Sequence, residues 1–164
     1  MKRRYVLILL ILTLACSGPD QSTTFILIRH AEKANDGTDN PDLTAEGKER
    51  ARRLSELLKD TKVAAIYATN FKRTHQTVEP LAAEKKIMVR QYEAFKAEEI
   101  EKMLDEHHGE TIVVCGHTNN IPWTANLLTG TDDLQEYDES QYGIFLIVTV
   151  VRKGSNARVL RLNY

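Results

Sequence analysis

Two cysteines, Cys16 and Cys115, are all that the 164 residues contain, so the chain has no disulfide framework to stand in for a hydrophobic core. It also lacks an excess of either charge: 22 Lys and Arg stand against 23 Asp and Glu. Three of the bases are Lys2, Arg3 and Arg4; without them, 22 less 3 leaves 19 basic against 23 acidic residues, a net charge of −4. That balance argues against nucleic acid as a partner. The five histidines show neither the close spacing nor the accompanying cysteines or carboxylates of a zinc site, and no metal is expected. The apolar run Tyr5–Leu12 is too short to span a bilayer comfortably, and beyond it there is no internal repeat or low-complexity segment. The length suits one domain with a real core, and not two.

What is present begins with an export signal. Lys2-Arg3-Arg4 form a positive n-region, Tyr5–Leu12 an apolar h-region, and Thr13-Leu14-Ala15-Cys16 precede the turn-forming Ser17-Gly18-Pro19-Asp20. A cysteine directly after such a core resembles the lipobox of bacterial lipoproteins, with Ala15 fitting the pattern and Thr13 standing where a leucine is usual. The resemblance implies a signal peptide over residues 1–15, lipidation at Cys16, a tether over 16–24 and a domain over 25–164. That domain would lie outside the cytoplasm, held to a membrane by its lipid and facing the periplasm or the cell exterior. Cys115, inside an apolar run, reads as a small buried residue.

The domain alternates strand and helix patterns. Phe25–Arg29 is apolar almost throughout, as a central parallel strand should be, and a polar loop follows over Asn35–Asp42. Thr44 is placed to cap a helix whose stripe is Ala51, Leu54, Leu57 and Leu58. Further strands are expected over Val63–Ala68, Ile87–Tyr92 and Thr111–Cys115. Helices are expected from Phe71 to about Lys85, interrupted or kinked near Pro80, then over Ala97–His108 and Ile121–Leu128. Ile144–Val151 and Ala157–Leu162, joined by Lys153-Gly154-Ser155-Asn156, read as a C-terminal hairpin. The expected fold is α/β, a three-layer α/β/α sandwich with a mostly parallel central sheet and that hairpin.

Two of these strands stop at a histidine: Arg29-His30 ends the first, and Gly116-His117 follows Val113-Val114-Cys115. Open α/β sheets gather their chemistry at the carboxyl ends of parallel strands. Two histidines on one edge, one beside an arginine, suggest a site for an anion. Leu27-Ile28-Arg29-His30-Ala31-Glu32 resembles the Arg-His-Gly signature of the histidine phosphatase superfamily, the phosphoglycerate-mutase-like fold, with Ala31 in place of glycine. Leu43-Thr44-Ala45-Glu46-Gly47 resembles that family's Leu-Thr-x-x-Gly helix start. The segment Tyr67–Thr77 is similar to the one that carries its second arginine, here Arg73, and Val113–His117 to the strand bearing its second histidine. Four matches in register along the chain are far more specific than one Arg-His pair.

The chemistry of a phosphate ester asks for these residue types. Its oxygens repel nucleophiles, so catalysis needs cations to spread charge, an in-line nucleophile and help for the leaving group. Arginine holds phosphoryl oxygens with a planar fork and keeps its charge, which suits Arg29 and Arg73 as clamps. A neutral imidazole can attack phosphorus, so His30 is expected to form a phosphohistidine that water later hydrolyses, with His117 donating to the phosphoryl oxygens. By resemblance these are the roles of the matched family residues, and no cofactor is implied. His75 is expected to serve the surface or the structure, and His107 and His108 to cap a helix end.

The leaving-group acid is the least determined part. The mutase branch carries a glutamate between the second arginine motif and the second histidine, and Glu93 is the positional candidate, with Glu32 and Glu98 as alternatives. The acid-phosphatase branch has an aspartate after its second histidine, whereas here Thr118-Asn119-Asn120 follow His117. The large insertions of mutases and phytases are missing, which resembles the compact phosphohistidine phosphatases and implies an open site that favours hydrolysis over retained transfer. The expected function is a metal-independent phosphatase acting on a phosphorylated small molecule or phosphoprotein. The alternatives are a phosphoglycerate-type mutase or a lipoprotein that binds phosphorylated ligands without turnover.

Overall fold

The computed structural model describes residues 21–154 and 156–164. The expected signal peptide and the lipidated Cys16 lie outside the described residues. The elements are β1 (Thr23–Arg29), α1 (Ala45–Leu57), β2 (Ala65–Ala68), α2 (Lys72–Lys85) and β3 (Val89–Gln91). They continue with α3 (Ala97–Glu106), β4 (Thr111–Gly116), α4 (Asn120–Thr129), β5 (Ile144–Val150) and β6 (Arg158–Asn163). Among the described residues no helix is long and apolar enough to cross a membrane.

The six strands form one sheet in the order β3-β2-β4-β1-β5-β6. The first four run parallel, β5 is antiparallel to β1, and β6 pairs antiparallel with β5 as the expected hairpin. The sheet is therefore mixed and mostly parallel, as anticipated. Alternation along β1 shows how it is buried on both sides. Phe25 and Leu27 face Ile100, Met103 and Ile121 of α3 and α4. Ile26 and Ile28 face Leu54, Val78 and Leu81 of α1 and α2. Each such side chain, removed from water, contributes roughly 1.5–3 kcal/mol.

Several details differ from the sequence reading; β2 starts at Ala65, not Val63, and α3 ends at Glu106, not His108. β1 starts at Thr23, within the expected tether, because Thr23 pairs with Val150 and its hydroxyl accepts from the N–H of Gly109. β3 shrinks to three residues at the sheet edge, where only β2 pairs with it. α2 runs through Pro80 without interruption and ends at Lys86 in the left-handed region.

The connections explain where a site can form. After β1 the chain passes to α1, on one face; after the neighbouring β4 it passes to α4, on the other. The crevice outside the carboxyl ends of β1 and β4 is thus a topological switch point, the usual place for a ligand in such sheets. The helix start at Leu43–Gly47 is held tightly beside it. Thr44 donates its N–H to the Glu32 carbonyl (2.9 Å) and accepts on Oγ1 from Gly47 N–H (3.0 Å). A Cβ on Gly47 would lie 2.3 Å from that same Glu32 oxygen, which is why the motif needs glycine there.

Candidate active site

β1 and β4 end side by side. The His30 N–H donates to the Gly116 carbonyl (2.9 Å), and this backbone bond delivers the His30 and His117 rings to one place, 5.3 Å between centroids. Glycine at 116 leaves room for the Asn120 side chain, whose Oδ1 would lie 2.5 Å from a Cβ there. Just past β2 comes Thr69, whose Oγ1 lies 2.9 Å from His117 Nε2, and α2 adds Arg73. His30, Arg73 and His117 line one cavity of about 370 Å³ together with Lys33, Phe71, Phe95 and the carboxylates Glu136 and Glu139.

His30 is 2% exposed, and its Nδ1 lies 2.8 Å from the Ala31 carbonyl oxygen. A carbonyl only accepts, so Nδ1 carries the proton and Nε2 keeps its lone pair. Burial, with the neighbouring His117, Arg29 and Arg73 charges adding to it, pushes the His30 pKa down to about 3. His117 falls to about 4, again through burial first and then Arg73 and Arg29. Both imidazoles are therefore neutral near pH 7, the state a nitrogen nucleophile requires.

Arg73 stacks on Phe71, 4.3 Å from guanidinium carbon to ring centroid, and its buried Nε has no hydrogen-bond partner among the described residues. Its pKa is lowered by burial. A half-buried guanidinium with unmet donors beside two neutral histidines is suited to an anion. The N-termini of α2 and α4, entered through Phe71 and Asn119, open onto the same cavity and add partial positive charge.

Arg29 does something the sequence did not suggest. It is fully buried and absent from the cavity lining. Its Nη1 donates to the carbonyls of Gln141 (2.8 Å) and Asp138 (3.3 Å), its Nη2 pairs with Glu139 Oε2 (3.0 Å), and its guanidinium lies 4.2 Å from the Tyr142 ring centroid. Arg29 thus pins the segment 131–143, which joins α4 to β5 and forms one wall of the cavity. Its buried Nε has no hydrogen-bond partner among the described residues.

The three expected acids are not brought into the cavity. Glu93 is 62% exposed at its side chain and pairs with Lys96 (2.7 Å). Just before it, Tyr92 turns into the core and accepts from Asn120 Nδ2 on its hydroxyl (2.9 Å); the alternation of an extended chain then sends Glu93 outward. Glu32 is held by Arg50 (Nε to Oε1, 2.8 Å); burial acts to raise its pKa, but that hydrogen bonding lowers it overall. Glu98 is exposed in the first turn of α3. His75 lies outside the cavity. His107 closes α3 as expected but is also buried, 3.0 Å from Tyr67 Oη and 2.9 Å from Glu110 Oε2.

Residues that sequence reasoning missed are Lys33, Thr69, Phe71, Phe95, Thr118, Glu136 and Glu139. Lys33, three places after His30, carried a usable signal as a further cation near the nucleophile. Glu136 and Glu139 carried none, because their segment has no periodicity. The polar loop 35–42 packs on the start of α2: Asn40 Oδ1 accepts from Lys72 N–H (2.9 Å) and the Asp39 carbonyl from Arg73 Nη1 (3.4 Å).

The family comparison agrees with this geometry. Residues 25–97 match the model of the histidine phosphatase superfamily, branch 1. The fold is similar to a protein histidine phosphatase, SixA, solved with tungstate: TM-score 0.69, 14% identity, 85% of this chain and 96% of that one. It is also similar to the alpha-ribazole phosphatase of Shigella flexneri, with TM-score 0.68, 15% identity and coverage of 86% and 96%. A candidate phosphohistidine phosphatase SixA from Nakamurella multipartitia gives 0.65, 19%, and coverage of 89% and 98%. No curated protein matches by sequence. Over residues 25–97 the chain is thus similar to the histidine phosphatase superfamily, and these solved structures share its fold.

Proposed function

We propose that this chain is a metal-independent phosphatase that hydrolyses phosphomonoesters, or phosphohistidine, through a phosphohistidine formed on His30. The observation that carries the reading is the His30 tautomer: Nδ1–H is committed to the Ala31 carbonyl, and the neutral Nε2 is left to attack. In the first step Nε2 bonds to phosphorus as the bond from phosphorus to the leaving oxygen breaks. Arg73, Lys33 and the N-termini of α2 and α4 offset the charge on the phosphoryl oxygens, and His117 is within reach of the same group. In the second step water attacks the phosphohistidine, the N–P bond breaks, and phosphate leaves. The open cavity gives water that access, which favours hydrolysis over a mutase reaction.

The test is turnover of a generic aryl phosphate by the purified domain in the presence of a chelator. Activity that persists, and is lost in His30→Ala, supports the reading. A domain that releases no phosphate, or stops when chelated, contradicts it. The same reading puts the domain outside the cytoplasm on a lipid at Cys16. Metabolic labelling with a fatty-acid analogue tests that placement, and label that persists in Cys16→Ser refutes it.

A further inference from the structure

With Glu93, Glu32 and Glu98 placed outside the cavity, two carboxylates remain on its wall, Glu136 and Glu139, both from the segment after the second histidine. They are not equivalent. Glu139 is committed: Oε2 lies 3.0 Å from Arg29 Nη2 and 3.6 Å from Lys33 Nζ, and Oε1 accepts from Thr118 Oγ1 (3.2 Å). Its oxygens are thus taken up by two cations and a hydroxyl. Glu136 forms no ion pair among the described residues and touches only the Thr118 hydroxyl, at 3.5 Å.

Although Glu136 is exposed, its backbone is fixed on both sides. Leu134 is clamped by the Asn126 side chain, which donates from Nδ2 to its carbonyl (2.8 Å) and accepts its N–H on Oδ1 (3.1 Å). Tyr137 is buried, and its N–H donates to the Thr118 carbonyl (3.2 Å), one residue from His117. Arg29, further along, holds the Asp138 and Gln141 carbonyls. Four anchors thus carry one free carboxyl to the mouth of the cavity that His30 and Arg73 line.

We propose that Glu136 is the acid and base of this site, a role resting on the phosphatase reading above. In the first step its carboxyl proton passes to the leaving oxygen as the P–O bond breaks and His30 Nε2 bonds to phosphorus. In the second, the resulting carboxylate takes a proton from the water that attacks phosphorus as the N–P bond breaks. The proton given up in the first step is regained in the second, so each turnover returns the carboxyl to its starting state.

The experiment compares two substrates, 4-nitrophenyl phosphate, whose leaving group needs no proton, and glycerol phosphate, whose alkoxide does. Both are given to the wild-type chain, Glu136→Gln, Glu136→Ala and Glu93→Gln. The expected result is a loss of about 10²–10³-fold in kcat/KM on the alkyl ester for both Glu136 variants. On the aryl ester the first step, read as the burst of nitrophenol, changes less than about threefold, in line with a leaving group that needs no acid. The alkaline limb of the wild-type pH profile on the alkyl ester should disappear with Glu136→Gln. Equal losses on both esters, an unchanged pH profile, or a selective alkyl loss in Glu93→Gln instead would overturn the assignment. A wild-type chain that turns over neither ester refutes the phosphatase reading itself, and the assignment with it.

Discussion

Replacing His30 with glutamine should change how the stability of the domain responds to acid. In the folded chain the His30 pKa is pushed to about 3 by burial, whereas an unfolded histidine titrates near 6.5. Below 6.5 the unfolded state binds a proton that the folded state refuses, so stability falls as pH falls. The contribution is fully present above 6.5 and is lost progressively towards 3. Between pH 7.5 and 4.5 the folded ring stays neutral while the unfolded one takes up its proton across two units. At 1.36 kcal/mol per unit this is about 2.7 kcal/mol. The ring is 2% exposed, so little solvent screening reduces that figure. Urea unfolding of wild type and His30→Gln, in buffers free of phosphate, should show the wild type losing about 2–3 kcal/mol more over this interval. Parallel losses in the two proteins would mean that His30 is protonated in the fold at pH 4.5 and that burial does not depress its pKa.

Other outcomes follow from single contacts. Glu139→Gln removes a negative charge from the cavity wall beside Lys33, so inorganic phosphate or vanadate should bind about five- to tenfold more tightly by calorimetry, on the order of 1 kcal/mol for one partly solvated charge. Weaker binding would mean that Glu139 positions the site and does not contest it. Gly47→Ala puts a methyl 2.3 Å from the Glu32 carbonyl oxygen and should cost about 2–4 kcal/mol in urea unfolding by pushing α1 off its seat; a cost below about 0.5 kcal/mol would show that the close approach is not required. Tyr164→Phe removes a buried hydroxyl that has no partner among the described residues and should be neutral or slightly stabilising, within about 1 kcal/mol; a larger loss would show that the hydroxyl is bonded.

The sequence exposed the frame of the site well because that frame is local. Apolar runs ending at His30 and His117 can only be buried strands with histidines at their ends, and parallel pairing of β1 with β4 brings those ends together. Gly47 and Thr44 were legible for the same reason, since helix-start geometry is written in a five-residue stretch. Arg29 was legible as important but not in its duty. Nothing near Arg29 in sequence tells that Asp138, Glu139 and Gln141, more than a hundred residues later, turn its guanidinium away from the cavity. The wall at 131–143 was opaque because side-chain clamps from Asn126, Thr118 and Arg29 position it, and no backbone periodicity does. The position of Glu93 failed on one residue of alternation: Tyr92 takes the inward direction, and Glu93 is left the outward one.

The most direct test of the central claim is to trap the intermediate. The domain is mixed with an aryl phosphate, quenched under alkaline conditions that preserve phosphohistidine, digested and read by mass spectrometry. The account predicts one phosphoryl group on His30, formed at a rate fast enough to support turnover and absent from His30→Ala. Label on another residue, or a His30→Ala protein that still turns over substrate, would contradict it.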